Sequence, residues 1–125
     1  MTRPPSGAPP PTTATFEGQR IELTPLAEAV AERYFAEFPG DIERYGDAAR
    51  AWEIHDTLYC LNWALLDVKG YTSLEKQVLW LAGILRARGF PVEQLARNLE
   101  LAADVMAVPA AAEQLRAAAV SVRRG

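Results

Sequence analysis

The segment that most constrains this chain is residues 48 to 68, AARAWEIHDTLYCLNWALLDV, because apolar side chains fall on nearly every side of it. On a helical wheel at about 100° per residue, Ile54, Leu58, Leu61, Leu65 and Val68 form one seam. Trp52, His55, Tyr59, Asn62 and Leu66 form a second ridge beside it, and with Trp63 the two leave only a narrow polar strip of Glu53, Asp56, Cys60 and Asp67. A helix with so wide an apolar arc must be surrounded by others. The expected fold is therefore all-α, with this element buried at the centre of five to six helices in a helical bundle or globin-like stack.

The helices packed around it are marked by their ends. Thr24 is a candidate N-cap with Pro25 behind it, and Leu26, Val30, Tyr34 and Phe38 recur every four residues up to Pro39-Gly40. A short helical turn from Asp41 to Tyr45 follows, and Asp47 is placed to cap the central helix, which Gly70 closes. Thr72 and Glu75 have capping-box spacing and open a helix ending near Arg88, with Gly89 as its stop. Pro91 opens the next, where Val92, Leu95, Leu99, Ala102 and Met106 keep a three-four spacing; Pro109 breaks it, and an Ala-rich helix runs from Ala110 to about Arg123. Ahead of all this, residues 1–15 hold five of the nine prolines and predict a disordered leader. Residues 16–24 predict an extended arm that packs Phe16 and Ile21 on the domain, its alternation too broken for a strand, and the helical domain spans 25–124.

Composition narrows the function classes. A net charge of −3 gives no electrostatic reason to expect nucleic acid, and the cations near the C-terminus, Arg116, Arg123 and Arg124, already suit a helix end. No run approaches the roughly 18 apolar residues of a membrane span. The single Cys60 cannot form an internal disulfide and the first residues lack the apolar run of a signal peptide, which points to a cytoplasmic protein.

The polar residues forced into the apolar arc are the functional candidates. His55, Tyr59 and Asn62 stack on one ridge, and buried polar groups need partners. They form either a structural network or the polar part of a small-molecule pocket walled by Trp52, Trp63 and Trp80. Cys60 and Asp56 are one turn apart, but one His and one Cys in the whole chain do not make a metal site, and the thiol is expected at the surface or facing a partner. No nucleophile elbow, phosphate-binding loop or dinucleotide fingerprint is present, which argues against an enzyme. A tetrapyrrole, haem or bilin-like, would have to use His55 as its ligand. Leu79, opposite the apolar arc of its helix, and the Ala-rich last helix suggest a homodimer or a protein partner.

Residues 41–106 resemble the helical modules of bacterial sensory and regulatory proteins, those found upstream of cobalamin-binding domains and the related non-haem globin-like sensor modules. The resemblance is carried by ERYGDAAR at 43–50, by Asp56-x-x-Tyr59-Cys60-Leu61-x-Trp63 with Ala64-Leu65, and by Trp80 with RARGFPVEQL at 86–95. It implies a non-enzymatic module for sensing or signalling that binds a small apolar ligand or a protein partner. Cys60 stands where that pattern carries a His, and the cobalamin-binding signature Asp-x-His-x-x-Gly is absent. The resemblance therefore implies regulation rather than cobalamin chemistry, with any missing domain supplied in trans.

Overall fold

The computed structural model describes residues 5–125. The chain forms an all-α bundle. Its elements are β1 (Thr13–Phe16), β2 (Gln19–Glu22), α1 (Thr24–Glu37), α2 (Gly40–Tyr45), a 3-10 turn (Gly46–Ala48), α3 (Ala49–Val68), α4 (Leu74–Ala87), α5 (Val92–Val105) and α6 (Pro109–Arg124).

The strands correct the expected leader and arm. Thr13 pairs with Glu22 and Phe16 with Gln19 in an antiparallel hairpin whose two loop residues, Glu17 and Gly18, both have positive φ, 51° and 77°. That backbone matches the right-handed twist of the flanking strands, and glycine at the second position adopts it without strain. Ala14, Phe16 and Ile21 pack on the core, and the Lys69 ammonium donates to the Thr15 carbonyl, tying the hairpin to the end of α3. Part of the proline-rich leader is thus ordered structure; residues 1–4 of it lie outside the described residues.

Three caps also differ from expectation. Helix α1 begins at Thr24 itself, with Leu23 as N-cap and no side-chain cap bond. Asp47 does not cap α3; it lies in the 3-10 turn, and Ala48 holds the cap position. The cap of α4 is Ser73, whose hydroxyl accepts from the Lys76 amide at 3.2 Å, while Thr72 accepts from the Gln77 side chain. The stop after α3 is as expected: Gly70, at φ 83°, lets its own amide reach Asp67 O and that of Tyr71 reach Leu66 O.

Helix α3 packs against α1, α4, α5 and α6, yet it is not wrapped on all sides. Leu58, Leu61 and Leu65 are buried as expected, whereas Trp52 and Tyr59 are only half-buried. The better-covered element is α5, which buries seven of fourteen residues against seven of twenty in α3. Its partner is α6, and Ala111, Ala112, Ala118 and Ala119 are buried there, so the Ala-rich face lies in the core and is not left open for a second chain. Outside this contact Arg97 clasps Glu37 of α1, and Arg123 clasps Glu93 and Glu100. Exposed pairs of this kind contribute little each, but they account structurally for the C-terminal cation.

Candidate functional site

Between α3 and α4, and closed at one end by α1, α2 and the start of α5, lies a cavity of about 810 Å³. The stretch with the wide apolar arc supplies one wall. Trp52, His55, Tyr59 and Trp63, spaced by three and four, stack along α3 as a ladder of rings with successive centroids 5.3, 5.1 and 5.5 Å apart. The facing wall comes from α4, where Gln77, Trp80, Leu81, Ile84 and Leu85 repeat on one side of the helix. Trp80 is 62% exposed and stands at the rim.

Five of the six residues expected to line a pocket, Trp52, His55, Tyr59, Trp63 and Trp80, do line this one; Asn62 does not. The connected ridge His55-Tyr59-Asn62 does not form. His55 Nδ1 pairs with Asp56 Oδ1 at 3.0 Å, and the Tyr59 hydroxyl turns to the Ala8 carbonyl at 3.4 Å.

The polar strip is instead the part of α3 that turns inward. Glu53, Asp56 and Cys60 all line the cavity, because the strip lies between the buried seam and the aromatic ladder and both flanks are covered. Cys60 is only 1% exposed, which overturns the expectation of a surface thiol. Burial pushes the Cys60 thiol well above its ordinary range, with Asp56 and Glu53 adding to the effect, so it stays protonated.

Glu53 lies on the same strip, one helical turn before Thr57. Burial pushes its carboxyl from 4.5 up to about 8, opposed by a hydrogen bond from Thr57 and reinforced by the fields of Asp56 and Asp41. The Asn98 amide of α5 lies between Glu53 and Thr57. With its nitrogen toward Glu53 it donates to Oε2 at 2.6 Å and to Oε1 at 3.2 Å, and its oxygen accepts from Thr57 Oγ1 at 3.0 Å. The Thr57 hydroxyl also lies 3.0 Å from Glu53 Oε2. The Asn98 nitrogen thus gives the Glu53 carboxyl a neutral donor from α5. Replacing Asn98 by Ala removes this partner and is expected to cost about 1 to 3 kcal/mol in urea unfolding. Asn62→Ala is expected to stay within about 0.5 kcal/mol; equal losses would mean the network is on the wrong ridge.

A second group closes the end of the cavity. Tyr34 Oη donates to Asp41 Oδ2 at 2.5 Å, and Gln94 Nε2 donates to Tyr34 Oη at 2.7 Å and to Asp41 Oδ2 at 2.9 Å. Burial, with Asp41 as acceptor, raises the Tyr34 phenol above its ordinary value, and burial also raises Asp56 against the opposing pull of His55. None of Tyr34, Asp41, Gln94 and Asn98 was flagged from the sequence. Asn98 carried a readable signal, since it lies three residues after Leu95 and four before Ala102 on the apolar face of its helix. The other three come together only through tertiary packing.

Among the described residues no cluster of three His, Cys, Asp or Glu side chains has the geometry to hold a metal ion. The chain matches no family model, no curated protein and no solved structure.

Proposed function

We propose that this chain is a non-enzymatic sensory or regulatory module that binds a small, largely apolar molecule between α3 and α4. The observation that carries the reading is the cavity itself: about 810 Å³, within the range of small-molecule sites, with all three tryptophans of the chain on its walls. A few polar groups at its floor would orient a ligand, and a protonated thiol offers no nucleophile for covalent chemistry. A tetrapyrrole held by His55 is the weaker alternative. His55 does face the cavity, but its Nδ1 is engaged by Asp56, and the neighbouring carboxylates would repel the acid side chains that such macrocycles carry.

The reading carries a cytoplasmic location, supported by a single, buried, free cysteine. No helix among the described residues is long and apolar enough to cross a membrane. It also carries a protein contact, with a second copy or a signalling partner, supported by the exposed Tyr71, Leu79, Trp80 and Val120.

The test uses the neutral dye N-phenyl-1-naphthylamine titrated into the full chain while tryptophan emission is followed. Saturable binding of one dye per chain, with tryptophan emission quenched in step, is expected. Ile84→Trp, which fills the cavity from the α4 wall, should weaken it about tenfold or more. A native protein that takes up no dye would sink the proposal.

A further inference from the structure

The charges facing the cavity are unbalanced. Asp41, Glu53 and Asp56 bring three carboxyls to it, while the basic side chains on the lining are His55 and Arg88. His55 is committed to Asp56 at 3.0 Å, and Arg88, exposed just past the end of α4, also acts on Asp56. Among the described residues, Asp41 and Glu53 have neutral hydrogen-bond partners, Tyr34 and Gln94 for the first and Thr57 and Asn98 for the second. No Lys, Arg or His among the described residues forms an ion pair with either.

About half of the remaining lining is aromatic, and most of the other half is aliphatic, chiefly from α4. Ring faces attract cations through their quadrupole, more strongly where water is excluded, and quaternary and protonated amines are the groups such enclosures recognise. An anion would meet uncompensated carboxylates, and a neutral molecule would leave them without a counter-charge. The cavity is also far larger than a bare cation needs, so most of its volume must be filled by an apolar body.

We infer that the natural occupant is an amphipathic organic cation, an aromatic or aliphatic amine or quaternary ammonium compound, whose charged head lies by Glu53 and Asp41 and whose apolar body lies between the α3 aromatic ladder and the α4 wall. The inference rests on the proposed small-molecule site and specifies the chemistry of its ligand. The buried carboxyl of Glu53 suits this role, because a cation beside it supplies the charge that makes its ionisation favourable, and the Asn98 amide has a hydrogen-bonding arrangement for that state.

Three probes of matched shape test it on the full chain at pH 8.5, each displacing N-phenyl-1-naphthylamine: benzyltrimethylammonium, its neutral carbon isostere neopentylbenzene, and phenylacetate. The cation is expected to bind about tenfold or more tightly than the isostere, and phenylacetate more weakly than both. Glu53→Gln should remove most of the preference for the cation while changing neopentylbenzene affinity less than twofold; Asp41→Asn gives an independent reading should the first variant fold poorly. Dye binding with the isostere equal to or better than the cation overturns the inference and leaves the pocket standing. A protein that binds neither dye nor any probe overturns both.

Discussion

Glu53→Gln is expected to make the protein more stable than wild type at pH 9 and to change it little at pH 5. Burial raises the Glu53 carboxyl in the folded chain to about 8 from 4.5. Below 4.5 both folded and unfolded chains hold the proton and the group imposes no penalty. Between 4.5 and about 8 the unfolded chain releases the proton while the folded chain keeps it, so stability falls as pH rises, and above about 8 the loss is complete. At about 1.36 kcal/mol per pH unit the total is at most about 5 kcal/mol. Glutamine keeps the shape and the hydrogen-bonding capacity toward Thr57 and Asn98 but cannot ionise. Urea unfolding of both proteins at pH 5, 7 and 9 should therefore give curves that meet at low pH and separate at high pH. Asp56 is raised as well and tilts both proteins the same way, so the difference between them isolates Glu53. A wild type no less stable, relative to the variant, at pH 9 than at pH 5 would refute the burial of this carboxyl.

The same carboxyl shows where sequence and structure part. The long helices were legible because their punctuation is local: Pro39-Gly40, Gly70, Gly89, Pro91 and Pro109 all fall at or within two residues of a helix boundary. The caps differ by one residue each: Ser73 for Thr72 exchanges like chemistries, whereas Leu23 for Thr24 and Ala48 for Asp47 put apolar residues at cap positions that make no side-chain bond. The hairpin was missed for a different reason. The Pro-, Ser-, Thr- and Ala-rich composition of the leader runs to residue 15, inside β1, and so masks the pairing of TATF with QRIE across Glu17-Gly18. For the site, helical spacing brought Trp52, His55, Tyr59 and Trp63 to one line, and it could not say what that line faced. A wheel ranks faces by polarity and sends the most polar strip to solvent. Here the strip with Glu53 and Cys60 borders a cavity, and the partner of Glu53 is on α5, 45 residues away in sequence (98 − 53). Which polar strip is buried is decided by the neighbouring helices, and that information is not local.

Core and cavity wall should separate cleanly by mutation. Leu61 of α3 and Leu99 of α5 are both fully buried and neither lines the cavity, so truncation leaves a void that the surrounding helices cannot fill. Leu61→Ala and Leu99→Ala are each expected to cost about 2 to 5 kcal/mol. They should leave dye affinity within about threefold so long as the chain stays folded. Trp80 has the opposite profile: it is a larger side chain, but 62% exposed at the rim. Trp80→Ala should cost less than about 1 kcal/mol, since little of its surface is withdrawn from water on folding. It should nevertheless lower dye affinity several-fold, because it removes one of the aromatic surfaces a ligand would touch. Urea unfolding and dye titration on the three variants distinguish the outcomes. A Trp80 variant as destabilised as Leu99→Ala would mean that α4 packs on α3 without an intervening space, and the cavity would have to be given up.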